Sequence, residues 1–360
     1  PYFFVGRYRP CHLNYLYKIG FINTFMNKFK KIESYPFSTK LTANCTWIMN
    51  RYCNYSCSYC WPHAHQQKKD FFDEDTYLLA VYSIISQFKN NGYDNIWWSF
   101  TGGEVTFNPW FLSVLDEIVQ GITNKNKMAI NLTTNLSQSE KWWLKFSTAV
   151  DKFVHKKINA SWHGEYINSP DKLDKFKNKL LLLRDNNVQV VVNTVLTPGK
   201  LEEQKRLVEY FNKEGIYVLV KGARGKYVFL DGLEKQDFDF IKAQATLQEK
   251  QLINRKGYIE ATYLDGTTKR FKSYEEVLAE NYESYDSWYC TAGHQAITIF
   301  ENGDVRRGRS CKKEKLGSIL TGFNLFKRIE KCRTKNPCTC TGDLKMPKWR
   351  DHENNMLKVG

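Results

Sequence analysis

Short apolar, β-branched runs alternate along this chain with stretches whose apolar residues recur every three or four positions. That alternation is the pattern of strands each followed by a helix. The first strand is expected at 45–49. Leu78, Val81, Tyr82, Ile85 and Phe88 then fall on one helical face within 73–88, behind an acidic first turn of Asp73, Glu74 and Asp75. Asn91-Gly92 can end that helix. Further strands are expected at 95–100, 128–133, 157–162, 188–196 and 217–221. Helices between them are expected at 109–119, 139–146, from Ser169-Pro170 onward and at 201–213, with Ser169 as cap and Pro170 at the first helical position. Six such steps predict an α/β fold, a partial (β/α)6 TIM-like barrel, with its chemistry at the C-terminal ends of the strands.

The pattern changes after about residue 221. Runs at 258–263 and 268–271 flank Asp265-Gly266 and predict a hairpin, and 273–282 predicts a short helix. Runs at 296–300 and 304–306 flank Asn302-Gly303 and predict a second hairpin. The chain therefore divides into an N-terminal extension (1–40), the barrel (41–221), a connecting segment with a hairpin (222–285), a small cysteine-rich domain (286–345) and a tail (346–360). In the extension, Ile22, Phe25, Met26 and Phe29 have helical spacing beside Lys28, Lys30 and Lys31. Such a stripe packs against its own domain or lies on a membrane surface. No apolar run approaches the ~18–20 residues that span a bilayer, and no apolar signal segment opens the chain. A cytoplasmic protein without an integral membrane segment is expected.

The net charge of +15 favours anionic partners, but lysine is plentiful along the whole chain, so charge alone selects no function. Basic stretches at Arg306-Arg307-Gly308-Arg309 and Lys312-Lys313 come with no recognisable nucleic-acid module. A non-catalytic, metal-binding protein associated with nucleic acid is thus a minor alternative. The ten cysteines change the picture more. In a long chain without secretory features, clustered cysteines point to metal or catalysis rather than disulfides. Cys53, Cys57 and Cys60 form one group, and Cys290, Cys311, Cys332, Cys338 and Cys340 another; only Cys11 and Cys45 stand apart.

The first group directly follows the first strand, at the mouth of the expected barrel. Three thiolates within eight residues can hold three corners of a four-iron cubane and leave one iron open to a ligand. The competing reading is a zinc site completed by His63 or His65. After the second strand, Gly102-Gly103-Glu104 lets backbone approach a ligand closely, with a carboxylate beside it able to accept from an ammonium group.

Cys-x3-Cys-x2-Cys after the first strand, with the aromatic Tyr59 before the last cysteine, resembles the signature of the radical S-adenosylmethionine (SAM) family. Gly102-Gly103-Glu104, 42 positions after Cys60, resembles that family's glycine-rich motif. The resemblance implies a [4Fe–4S] cluster on Cys53, Cys57 and Cys60 and SAM chelated at the open iron. It implies reductive cleavage of SAM to a 5′-deoxyadenosyl radical, hydrogen abstraction from a substrate, and an electron donor such as flavodoxin or ferredoxin. By the same resemblance Gly102, Gly103 and Glu104 contact the SAM amino group, and Thr133, Asn135, Ser161 and Asn193 contact its ribose or carboxylate. Leu136 stands where the family usually has glycine, and Trp162-His163 where Leu-Asp is common. His163 and Glu165 are candidate acid–base groups.

The second cysteine group, around a hairpin and a Leu316-Gly317-Ser318-Ile319 element, resembles the SPASM or "twitch" extension of the same family. Five cysteines fill one cubane and not two. One auxiliary [4Fe–4S] cluster on Cys290, Cys311, Cys338 and Cys340 is expected, with Cys332 spare and structural zinc as the competing reading. Relatives of this layout modify peptides and proteins or oxidise small molecules. With 1–40 too short for the usual leader-recognition domain, a small polar or phosphorylated substrate is favoured, and a peptide or protein maturase is the alternative.

Overall fold

The structure is a computed structural model that describes residues 29–34, 42–60, 69–123, 127–223, 232–251, 258–271, 277, 284–311, 314–335, 338 and 341–350. The strands are β1 (Phe29–Ser34), β2 (Thr42–Ile48), β3 (Asn95–Thr101), β4 (Met128–Thr134), β5 (His155–Ser161), β6 (Gln189–Leu196), β7 (Val218–Gly222), β8 (Ile259–Tyr263), β9 (Thr268–Phe271), β10 (Tyr289–Cys290), β11 (Ala296–Ile299), β12 (Asp304–Arg306), β13 (Lys315–Ser318), β14 (Gly322–Phe323), β15 (Glu330–Lys331) and β16 (Lys348–Trp349). The helices are α1 (Glu74–Asn90), α2 (Phe111–Gln120), α3 (Glu140–Ala149), α4 (Pro170–Asp185), α5 (Leu201–Lys213), α6 (Lys235–Gln251) and α7 (Thr341–Leu344).

Strands β2 to β7 are parallel neighbours in chain order, each followed by a helix. The helix starts follow from local chemistry. Asp73, Ser139 and Ser169 each accept a hydrogen bond from a backbone N–H three residues on, which satisfies a donor the helix itself cannot. Gly92, at φ +84°, turns the chain out of α1 toward β3. Alternate strand residues such as Trp47, Trp98, Phe100, Leu132, Ile158 and Val192 are buried in one core with the helices. The other set is polar, including Ser99, Asn131, Asn159 and Asn193, and only half-buried, so it lines the concave face.

Two features differ from the sequence pattern. Helix α6, absent from that pattern, packs on β7 and completes the sixth βα unit. Its apolar residues Phe238 and Ile241 have helical spacing, but glutamines and lysines interrupt the stripe beyond them. The second hairpin, β11–β12, is present, with Gly303 at φ +82° in its turn, but it does not stand apart from the barrel. Strand β11 pairs parallel with β2, so the ten-stranded sheet runs β14-β13-β12-β11-β2-β3-β4-β5-β6-β7. The hairpin covers the backbone edge that β2 would otherwise leave open.

A six-stranded antiparallel sheet gathers three distant parts of the chain in the order β15-β10-β16-β1-β8-β9. The first hairpin is β8–β9, as the spacing predicts. Phe29 belongs to β1 and is fully buried with Ile32, Ile259 and Phe271, so it is not on the helical stripe expected of it. Ile22, Phe25 and Met26 lie outside the described residues, as does the expected helix at 273–282 except residue 277. Among the described residues, no helix is long and apolar enough to cross a membrane.

Side chains tie the C-terminal strands to α1. Gln87 Nε2 donates to the Phe323 carbonyl at 2.8 Å, and Asn91 Nδ2 donates to the carbonyls of His294 and Phe326. Tyr93 Oη lies 3.0 Å from His294 Nδ1. Burial lowers the His294 pKa below its usual 6.5. The unfolded chain therefore takes up this proton first. Stability from this group is complete above about pH 6.5 and falls as pH drops through the folded value. The apparent Tm of the wild type is expected to fall more steeply between pH 7 and 5 than that of His294→Gln; parallel curves would refute this.

Candidate active site

The loop after β2 carries Cys53, Cys57 and Cys60, and the loop after β3 holds it in place. Gly103 N donates to the Asn50 carbonyl at 2.8 Å and Glu104 N to the Tyr52 carbonyl at 2.7 Å. A Cβ on Gly103 would lie 2.6 Å from the Arg51 carbonyl oxygen and still closer to that of Tyr52. A Cβ on Gly102, at φ +153°, would overlap the Asn50 carbonyl oxygen. Both glycines are therefore required for two backbones to touch. Arg51 also forms an ion pair with Glu301 in the β11–β12 turn, linking this loop to the added hairpin.

Glu104 does not present its carboxylate outward as an ammonium acceptor. It is 1% exposed and takes donors from its own chain: Thr106 N at 3.2 Å, Thr106 Oγ1 and Thr134 Oγ1 at 2.7 Å, and Asn135 N at 2.5 Å. Burial raises its pKa, against these hydrogen bonds, which lower it. Asn135 extends the network, donating through Nδ2 to Asn54 Oδ1 at 2.8 Å and approaching Cys53 Sγ at 3.9 Å. Thr134, not Thr133, is the threonine of β4 that bonds Glu104. Neighbouring strand residues face opposite sides, and Thr133 lies on the concave face opposite Asn159. Leu136, where glycine is usual, has φ +59° and is buried, so this chain carries a left-handed turn on a bulky residue.

The loop after β5 grips the other side of the cysteine loop. Ser56 N donates to Tyr166 Oη at 2.6 Å, and Ser58 N to Glu165 Oε2 at 2.9 Å; Ser58 Oγ also bonds Glu165 Oε1. Tyr55 stacks on Tyr166 with ring centroids 4.1 Å apart. His163 Nδ1 is 3.3 Å from Cys57 Sγ and 3.0 Å from Tyr59 Oη. Burial lowers the His163 pKa to about 4, which leaves the ring neutral. His163 and Glu165 thus both hold the cysteine loop. Tyr55 and Tyr166 were missed because an aromatic stack between segments so far apart in the chain has no local spacing.

Burial pushes the Cys53 thiol up to about 11 and the Cys57 thiol to about 12, and raises Cys60 as well. Thiols in this state need the positive charge of a metal centre to ionise. Among the described residues, no three His, Cys, Asp or Glu side chains converge on a single ion. His63 and His65 lie outside the described residues. Ser161 pairs in register with Asn193 on the concave face. Asn193 Oδ1 is buried and has no partner within the described residues, leaving an acceptor for a ligand.

The C-terminal cysteines also come together. Cys290 is in β10, and Cys332 is bound to the same strand region through Cys332 N to the Trp288 carbonyl at 2.7 Å. Asp343 accepts from Arg309 N and Ser310 N, holding the turn before Cys311. Burial, then Asp343 and the thiols of Cys290, Cys338 and Cys332, raise the Cys311 pKa. Cys332, expected as the spare, is fixed beside the strand that carries Cys290; Cys340 lies outside the described residues. Arg307 is fully buried, donating to the carbonyls of Cys290, Ala292, Glu330 and Lys331 and to Glu314 Oε2 at 2.8 Å. It braces the cysteine group and is closed to nucleic acid.

Residues 47–211 match the family model described as the radical SAM superfamily. No curated protein matches the chain. A solved structure of histidine-tagged "anSMEcpe with bound AdoMet" superposes with a TM-score of 0.53 at 16% identity, covering 78% of this chain and 79% of that one. Another, "Native anSMEcpe with bound AdoMet and Kp18Cys peptide", gives 0.52 at 17% identity, covering 78% of each. These likenesses concern the fold. The family-model match spans the segment that carries the thiol loop at the mouth of the sheet, a little under half of the chain.

Proposed function

We propose that the protein is a radical SAM enzyme, with a [4Fe–4S] cluster on Cys53, Cys57 and Cys60 and a single auxiliary cluster near the C-terminus. When bound, the cluster with SAM supplies the 5′-deoxyadenosyl radical that takes hydrogen from a substrate. The observation that carries this reading is the thiol loop, pinned between Gly102-Gly103 and the His163–Tyr166 clamp at the C-terminal ends of parallel strands. The chain's residues hold the thiols apart, exclude water with Tyr55, Tyr59 and Tyr166, and offer SAM polar groups from Gly102, Gly103, Thr133, Asn135, Ser161 and Asn193. Glu104 acts on this site by fixing Asn135 and the glycine turn. Electrons come from a reductant of the flavodoxin or ferredoxin class.

The favoured substrate is small, polar and anionic. No concave-face position of β2 to β7 is acidic, while Lys157 and Lys221 fall on that face with five asparagines. A peptide substrate is the second reading, since a structure of similar fold was solved with a peptide bound. For the auxiliary cluster, the ligand set we favour is Cys290, Cys311, Cys332 and Cys338.

Anaerobic reconstitution, reduction with dithionite and addition of SAM should yield 5′-deoxyadenosine; none from iron-loaded protein would overturn the catalytic reading. Cys332→Ala is expected to lose about 4 of about 8 irons per chain and retain SAM cleavage. Unchanged iron in that variant would exclude Cys332 from the ligand set.

A further inference from the structure

We propose that His163 is a positioning residue that donates an N–H···S hydrogen bond from Nδ1 to the sulfur of Cys57 and thereby raises the reduction potential of the SAM-binding cluster. This rests on the reading of Cys53, Cys57 and Cys60 as cluster ligands. Nδ1 lies 3.3 Å from Cys57 Sγ, within reach of a hydrogen bond to sulfur. The ring cannot swing away easily. Its backbone carbonyl accepts from Tyr166 N at 3.0 Å and Ile167 N at 2.8 Å, which folds 163–167 into a tight turn. Tyr59 lies nearly parallel to the imidazole, 21° between planes, and Tyr55 meets it edge-on at 87°. Tyr55 is in turn stacked on Tyr166.

The Nδ1 edge of the ring is the one that faces the sulfur. A cluster-bound thiolate is a stronger acceptor than the phenol oxygen of Tyr59, so the proton belongs on Nδ1 and points at sulfur. The Tyr59 hydroxyl is held at 3.0 Å from the same Nδ1. Cys53 receives a backbone donor, Tyr55 N at 3.4 Å, and the more distant Asn135 Nδ2. Donors on a ligand sulfur withdraw electron density and favour the reduced, more negative cluster. Cys57 is therefore the sulfur through which the loop after β5 sets how easily the cluster accepts its electron. Glu165 and Tyr166 keep that loop and the cysteine loop in register.

The test uses the full reconstituted chain without SAM, following by electron paramagnetic resonance the reduced-cluster signal that changes when SAM is later added. With 15N-histidine protein, a nitrogen coupling to that signal is expected in the wild type and should vanish in His163→Asn. No such coupling in the iron-loaded wild type would overturn the proposal, and this reading needs no variant to fold. Redox titration gives the second test. Asparagine places an amide N–H near the Nδ1 position, so His163→Asn should keep a potential near wild type, and His163→Leu should shift it to more negative values. A leucine variant that holds its iron at an unshifted potential would overturn the proposal, as would an asparagine variant shifted as far as leucine. If the wild type assembles no SAM-responsive cluster, the parent reading fails instead; the two failures are distinct.

Discussion

Gly103→Ala is expected to abolish assembly of the cluster on Cys53, Cys57 and Cys60, and with it SAM cleavage, while the sheet stays folded. The new methyl would overlap the Tyr52 carbonyl oxygen and stand 2.6 Å from that of Arg51. Both are rigid backbone atoms, so neither can rotate aside as a side chain would. The strand-end loops must separate instead. That breaks the bonds from Gly103 N to Asn50 and from Glu104 N to Tyr52 that hold the cysteine loop. Overpacking of this kind costs about 1–3 kcal/mol, which a domain with this core survives. The functional loss is larger because the three sulfurs must match the corners of one cluster, and a loop displaced by an ångström no longer does. Iron analysis should show a loss of about 4 per chain, the same as in the Cys53→Ala/Cys57→Ala/Cys60→Ala variant. Circular dichroism should be unchanged. Full iron and full cleavage in Gly103→Ala would refute the close-approach argument.

Glu104→Ala is expected to be the most destabilising single change at the site. Its carboxylate is the common acceptor for Thr106, Thr134 and Asn135, joining the loop after β3 to the end of β4. The threonine hydroxyls can turn to other acceptors, but the N–H groups of Thr106 and Asn135 cannot. Leaving two buried N–H groups unpaired costs roughly 2–6 kcal/mol. Glutamine does not rescue this, because one of the two acceptor oxygens becomes a donor facing donors. Urea unfolding should show both variants with a lowered midpoint, alanine by at least as much as glutamine. A midpoint within experimental error of wild type for either would show that the network is dispensable. A lower iron affinity should accompany the loss, because Asn135 carries the network to Asn54 and Cys53.

The strands and helices of the barrel were legible because each alternates or repeats locally. The caps at Asp73, Ser139 and Ser169 and the turn at Gly92 do what those residue types do anywhere. Helix α6 was not legible, since glutamines and lysines break its apolar stripe and its place is set by packing on β7. The edge pairing of β11 with β2 was equally hidden. A hairpin announces its own two strands through its turn, but nothing in its residues names a third strand some 250 positions away.

The candidate site shows the same division. The spacing of Cys53, Cys57 and Cys60 and the pair Gly102-Gly103 are short-range signals, and they were enough to expect a thiol loop and the backbone that touches it. The roles of Glu104, Thr134, His163 and Glu165 were not, because a side chain's task depends on which face it occupies and on what crosses over from other loops. Burial of Glu104 among donors of its own chain, and the grip of His163 and Glu165 on the cysteine loop, come from contacts between loops far apart in the chain.

By itself the sequence determined the period of the elements, the thiol donors and their spacing, since these depend on residues within a few turns of one another. Tertiary structure alone decided which cysteine of the second group lies near Cys290, which loops hold the first group and which polar groups remain for a ligand. Those outcomes depend on burial and on contacts between distant segments, and no local pattern records them.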